Sequence, residues 1–316
     1  MTTAADSIRG ALVGLRTGDA LGARIEGLEP SVVRHRYGAA GELFRLKPGR
    51  SGSATDMTLA VAESLAANPR LDCEDLARRL ADGYDAGRVY GRGTADAIER
   101  LRSGVPWTDA GHVGAGRGCA GNAAAVRSAP IGLAGTADID WIRWAAEEAA
   151  GITHQNTLGT EGAVVFAVAV ALAAATRGHT IERRAYFERL AGETPAREYR
   201  ARLERGARLA EETPTVAAVV DTLGNNQTAL GSVATAVYCF IADEDDFAAA
   251  VCRALSLGGN TTSIAAMTGA LSGAHLGIDA IPDTWLSVAD GDPVGVDRVR
   301  DVAGRFADSL KDDDVD

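Results

Sequence analysis

From Leu257 to Pro282 the chain reads LGGNTTSIAAMTGALSGAHLGIDAIP, a stretch that dictates a turn followed by a helix. Two consecutive glycines, Gly258 and Gly259, make the turn. Asn260, Thr261, Thr262 and Ser263 follow, and then Ile264, Met267, Leu271 and Ala274 recur at helical spacing. The polar cluster has two readings. It caps the helix, or it holds an anionic ligand, because the first N–H groups of a helix have no intrahelical partner and sit at the positive end of the dipole. A second stretch of the same kind, SGSATDMTLAVAESL from Ser51 to Leu65, opens an apolar helix with Thr55, Asp56 and Thr58. Two such openings can face each other across one site.

Helical periodicity continues along the chain, over 7–21, 55–67, 72–85, 138–150, 152–178, 181–191, 196–212, 216–223, 229–241, 245–257 and 295–310. Alanine and glycine abound, and small residues let helices pack closely. Alternation of β-branched residues bounded by turns is almost missing, so strands are not expected. The prediction is an all-α fold in one compact multi-helix domain over 1–316. Residues 30–50 are expected to be a surface loop, and 311–316, KDDDVD, a frayed acidic tail. The 46% hydrophobic content suffices for a large core. The longest apolar run, 163–175, is too short to span a bilayer and reads as a buried helix.

A net charge of −11 argues against nucleic acid or an anionic membrane as partner. It does not disfavour a small anion, which needs only local donors. Cys73, Cys119, Cys239 and Cys252 show no CxxC spacing, so neither a zinc site nor a disulfide framework is implied. The N-terminus lacks a basic signal-peptide region. A cytoplasmic monomer is the expectation.

Three further stretches carry candidate chemistry. In RTGDALGARIEG, Asp19 lies between Gly18 and Gly22, and Glu26 follows; Glu26 is a solvated surface acid or a catalytic one. In GHVGAGRGCAGNAAAVRSAPIGLAG, from Gly111 to Gly135, glycines would let backbone N–H groups approach a ligand, although a surface loop is an equal reading. It is not a GxxxxGK[ST] loop. His154 stands before the long apolar helix, as a structural residue or a ligand contact.

Taken together, these stretches resemble the ADP-ribosylglycohydrolase family, in order and over nearly the whole chain. GALVGLRTGDALGARIEG is similar to its opening helix and GDALG turn, and SATDMTLA to its TDDT motif. GRGCAGNAAAVRSAPIGL resembles its glycine loop, ITHQNTLGTEGA its THxxxxGxxGA stretch, and the Leu257–Pro282 stretch its GGDTDT ending. The resemblance implies an all-α fold with a central cleft, and hydrolysis of the bond from ribose C1 to an acceptor. It also implies divalent cations, usually magnesium, held between the two aspartate motifs.

By that resemblance the metal positions are Thr55, Asp56, Asn260, Thr262 and Ser263, but only Asp56 keeps its carboxylate. Met57, Asn260 and Thr262 stand where the family has aspartates. Hard cations want anionic oxygen, so one weakly held magnesium, or none, is expected. Glu26 falls at a catalytic glutamate, with Asp56 as electrostatic stabiliser and Asp19 as support. Gly118, Cys119, Ala120, Gly121 and Asn122 match a ribose- and phosphate-contacting loop, and His154 a distal substrate contact.

The expected function is hydrolysis of a ribosyl glycosidic bond with a reduced or absent metal cluster. The substrate would be an ADP-ribosylated protein or a smaller N-riboside. The alternative is a non-catalytic ADP-ribose-binding or regulatory protein on the same fold. A ligand-free structural role is a third possibility, against which the retained GDALG turn, Glu26 and the glycine loop all argue.

Overall fold

The computed structural model describes residues 3–312 apart from 39, 69, 115–116, 136–137, 287–291 and 293. Among these residues there is no strand, only an isolated antiparallel bridge between Gly121 and Thr228. The helices that build the site are α1 (Thr3–Gly22), α2 (Ser53–Ala67), α3 (Cys73–Asp82), α4 (Arg92–Arg102), α5 (Ala123–Arg127), α6 (Thr157–Ala175), α7 (Phe247–Ser256), α8 (Thr261–Leu276) and α9 (Val296–Asp312).

The centre of the fold is α1 lying antiparallel against α8. Their contact follows from one sequence spacing. Gly10, Gly14, Gly18 and Gly22 recur every fourth residue on α1, so they share one face. They meet Gly273, Gly269, Ala265 and Thr261 of α8 in turn. A methyl group on Gly10 would sit 2.1 Å from the Gly273 carbonyl oxygen, and one on Gly18 would sit 2.0 Å from that of Ala265. No side chain fits there, so the two backbones touch. This register brings the last turn of α1 beside the first turn of α8, and so sets Glu26, just beyond α1, at the α8 opening.

Around this pair the apolar helices close a single core. α6 lies inside it: no residue from Ala163 to Ala171 is more than 5% exposed. The helix is longer than its apolar run. At 19 residues it is long and apolar enough to cross a bilayer, so the length argument from residues 163–175 does not hold. Its burial among the other helices is what makes it a core element.

The segment expected to be a surface loop contains helix. Pro30–Tyr37 and Ala40–Leu43 are helical within the 30–50 segment. Pro30 occupies a first-turn position, where proline's fixed φ and missing N–H cost nothing. The glycine-dense segment likewise runs into α5 and then Ala129–Ala134, with Pro130 in the first turn. At the C-terminus α9 continues through Asp312, two residues into the stretch expected to fray; residues 313–316 lie outside the described ones.

Candidate active site

Both polar helix openings are present, and each is capped by an acid from elsewhere in the chain. At the start of α2 the N-cap is Gly52, which has no side chain to offer. Asp19 supplies the acceptor instead. Its Oδ2 receives the N–H of Gly52 at 2.8 Å, the N–H of Thr55 at 3.1 Å and the Thr55 hydroxyl at 2.6 Å. At the start of α8 the N-cap is Asn260, yet its side chain does not cap. Glu26 does so: its Oε2 receives the N–H and the hydroxyl of Thr262, both at 2.8 Å, and the Thr261 hydroxyl at 3.3 Å. A carboxylate at either place satisfies orphan donors and meets the positive end of the helix.

Glu26 is held there by the turn. Gly258 and Gly259 both take positive φ, 62° and 66°, a region open to glycine and strained for other residues. The Gly259 carbonyl accepts from the Gly27 N–H, and the Gly259 N–H donates to Leu28. This short ladder ties the residues after Glu26 to the entry of α8.

Asn260 turns toward Glu26 and Asn122. Its Nδ2 donates to Glu26 Oε1 at 2.7 Å, and its Oδ1 accepts from Asn122 Nδ2, also at 2.7 Å. The Ser263 hydroxyl donates to Asn122 Oδ1 at 3.3 Å. An ionised carboxylate can only accept, so Glu26 dictates which way the Asn260 amide points. Asn260 in turn dictates the orientation of Asn122. Among the described residues Glu26 Oε1 receives this one donor, which leaves a lone pair for a water or a hydroxyl.

The α2 side is ionic. Asp56 Oδ2 lies 2.7 Å from Arg88 Nε. Arg88 comes from the loop between α3 and α4, and also donates to the Ser51 carbonyl. Beneath them Asp292 accepts from the Ser51 N–H at 2.9 Å and pairs with Arg16 at 3.1 Å, both side chains being fully buried. Burial works against the Asp292 carboxylate. Donors from Ser51 and Val294 and the Arg16 charge outweigh it, so its carboxyl is held below the usual range. Burial pushes the Asp56 carboxyl up to about 6 while Arg88 pulls against the rise. Burial also raises Asp19, against the pull of its donors. Asp19 Oδ1 is buried with no partner.

Between the openings lies a cleft of about 680 Å³. Asp19, Glu26, Asn260, Thr262 and Ser263 line it, as do Cys119, Ala120, Gly121 and Asn122 of the glycine loop. The loop is pinned by the Gly121–Thr228 bridge, in which the Asn122 N–H donates to Gln227 and the Ala229 N–H to Ala120. A larger groove, about 850 Å³, is lined by Glu74, Arg78, Leu101 and Trp107 and contains none of these residues.

Several expected site residues are placed elsewhere. His154 is fully buried behind the glycine loop and does not line the cleft. Its Nδ1 lies 2.7 Å from the Thr153 hydroxyl, its Nε2 has no partner, and burial lowers its pKa to about 3, aided by nearby Arg127. It is a neutral residue in the wall, out of reach of a ligand. Gly118 also stands off the cleft: with φ at +70° it packs on the backbone of Gln155 and Asn156. Thr55 is 1% exposed and spends its hydroxyl on Asp19. Asp56 sits just behind the cleft lining, next to Arg88.

The sequence reading missed the wall supplied by the loop between α3 and α4. Arg88, Val89, Tyr90 and Arg92 line the cleft there, and Arg50 joins them from the segment before α2. Three arginines converging on one cleft stand out in a chain of net charge −11. The available signal was GRVYGRG, in which glycines flank two arginines and a tyrosine without helical periodicity.

The family profile of ADP-ribosylglycohydrolase matches residues 1–314. The chain belongs to the ADP-ribosylglycohydrolase family. It is 32% identical over 328 residues to the ADP-ribosylhydrolase ARH3 of Mus musculus, covering 90% of this chain and 87% of that one. It is 30% identical over 302 residues to the ADP-ribosyl-[dinitrogen reductase] glycohydrolase of Rhodospirillum rubrum, covering 90% of each. A solved structure described as an ADP-ribosylglycohydrolase-related protein complex superposes with a TM-score of 0.73 at 28% identity. That match covers 98% of this chain and 100% of the other.

The donor set does not fit the divalent cations implied by the family. Among the described residues no three His, Cys, Asp or Glu side chains are grouped to hold an ion. Met57, at a family aspartate position, is 4% exposed and part of the hydrophobic core. Asn260 presents its amide N–H to Glu26, and Thr262 points its hydroxyl proton at the same carboxylate. Hard dications need several anionic oxygens free to coordinate, and here the remaining carboxylates already hold donors.

Proposed function

We propose that this chain hydrolyses the glycosidic bond at ribose C1 of an ADP-ribosyl compound, carried on a protein or a smaller acceptor, without a divalent cluster. The observation that carries the reading is Glu26. It is an exposed carboxylate on the cleft, fixed by four donors, with a lone pair of Oε1 uncommitted. In this reading Oε1 orients a water against C1. As the C1–acceptor bond breaks, positive charge develops on the ribose ring, and a carboxylate beside it lowers the barrier. The water proton passes to Glu26 and from there to the departing acceptor, so that the hydroxyl ends on C1, the proton ends on the acceptor and Glu26 is regenerated. Asp19 acts by fixing the α2 opening, and Asp56 by keeping Arg88 in place. Exposed Arg50 and Arg92 at the cleft suit a diphosphate, and Asn122 and the glycine loop suit the ribose hydroxyls.

Recognition without turnover is the second reading, and one observation favours it: four donors already occupy the Glu26 carboxylate. Both readings are tested by measuring ADP-ribose release from an ADP-ribosylated protein alongside calorimetric titration with ADP-ribose. We expect Glu26→Gln to lower turnover by about 100-fold or more while ADP-ribose affinity changes by no more than about threefold. Binding without turnover in the unaltered chain would transfer the assignment to recognition. Absence of both would overturn it.

A further inference from the structure

We infer that Arg88 is a tethered cation that takes the place of a divalent ion in this cleft, so that ligand binding needs no metal. Three oxygens of the kind a hard cation seeks surround its guanidinium. Asp56 Oδ2 lies 2.7 Å from Nε, the Ser51 carbonyl accepts from Nη1, and Asp292 Oδ1 is 3.8 Å from Nη2. A carboxylate, a carbonyl and a second carboxylate would together suit calcium or magnesium. Here they enclose a side chain only 6% exposed, and its Nη2 is buried without a hydrogen-bond partner. The positive charge is built into the chain and cannot be removed by a chelator.

The other opening agrees with this. A carboxylate at position 260 would press against Glu26 at the present 2.7 Å contact and would call for a cation between them. Asn260 replaces that need with an N–H donor. Arg88 neutralises the carboxylate that remains, and Asn260 removes the one that would conflict. Each change makes the other tolerable, because a tethered cation and a nearby dication would repel each other.

The inference rests on the family cleft and not on turnover, so it is tested without substrate. Manganese(II) is the probe, titrated into the full chain and followed by electron paramagnetic resonance. The unaltered chain should show no stoichiometric binding below about 1 mM, the weak end of protein cation sites. The double variant Asn260→Asp/Thr262→Asp restores carboxylates. Adding Arg88→Met to it should strengthen manganese binding by about tenfold or more, whereas adding Arg88→Lys, which keeps the charge, should not. Micromolar binding by the unaltered chain would overturn the inference, as would equal manganese affinity with and without Arg88. If the variants do not fold, calorimetry on the unaltered chain decides: ADP-ribose affinity equal in chelator and in manganese supports it, and about tenfold strengthening by manganese overturns it.

Discussion

At the start of α2 the N–H groups of Gly52 and Thr55 point at Asp19; at the start of α8 that of Thr262 points at Glu26. Both acids come from the end of α1 or just beyond it, so one helix caps two others. The surroundings then diverge. The α2 opening is buried and ionic, with Asp56, Arg88, Asp292 and Arg16 interlocked. The α8 opening is neutral apart from Glu26, and runs through Asn260 and Asn122 to Ser263 along the cleft. Buried charges must be paired within the protein, which immobilises them. Amides and hydroxyls at a cleft can exchange partners with a ligand at little cost. The comparison therefore sets a locked, ionic opening against one whose hydrogen-bond partners can be exchanged.

The most severe way to break the comparison is to separate the openings from their common cap. Gly18→Val would force apart α1 and α8, whose backbones already touch at Ala265. We expect a loss of about 3 kcal/mol or more in urea unfolding, with ADP-ribose binding lost as well. Gly304 on α9 is the control, since no other group lies within 4 Å of its added Cβ. Gly304→Ala should gain about 0.5–1 kcal/mol.

Next in size is Arg88→Met, which leaves Asp56 buried without its counter-charge. The expected cost is about 3 kcal/mol at pH 8. The folded-state pKa of Asp56, already about 6, would climb further above its unfolded value. A raised carboxyl pKa costs stability above that pKa, and the cost fades as the group protonates. The deficit should therefore shrink between pH 8 and pH 5, and Asp56→Asn in the same chain should abolish that pH dependence.

The α8 opening should respond less. Asn260→Asp places a second carboxylate, at a buried position, against the exposed Glu26, for about 2 kcal/mol at pH 8. This loss too should diminish as pH falls, because mutual repulsion raises a carboxyl pKa. Melting temperatures at pH 8 and pH 5 measure it. A variant equally destabilised at both values would mean that lost packing, and not charge, sets the cost.

The smallest effect concerns the wall behind the glycine loop. His154 stays neutral in the folded state down to about pH 3, while the unfolded chain takes up a proton near pH 6.5. Its contribution is complete above about 6.5 and declines below it, by about 1.4 kcal/mol for the first pH unit. His154→Gln should flatten that acid slope. If the slope persists, other buried groups carry it, and His154 has a partner for its Nε2 that keeps it charged.

Much of this was legible beforehand. The all-α class followed from periodicity, and both helix openings lie where the glycine turns and polar clusters put them. Asp72 is a true N-cap, accepting from the N–H groups of Glu74 and Asp75. The first-turn proline Pro30 misled the loop reading because proline marks helix starts as readily as turns. His154 was a ligand contact only by the resemblance, and its place before a helix says nothing of depth. Arg88 escaped notice because an arginine in a glycine-rich loop has no periodicity to mark it.

By itself the sequence determined the helical class and most of the helical segments, since periodicity is a local property of residue order. The fourfold glycine spacing on α1 was also there to be read, although not its partner. Tertiary structure alone decided that Asp19 and Glu26 cap α2 and α8, that Arg88 meets Asp56, and that Asn260 joins Asn122 to Glu26. Asn260 and Glu26 are 234 positions apart. Contacts at that separation depend on how close two backbones come, and it is the bare glycine face of α1 against α8 that sets the distance.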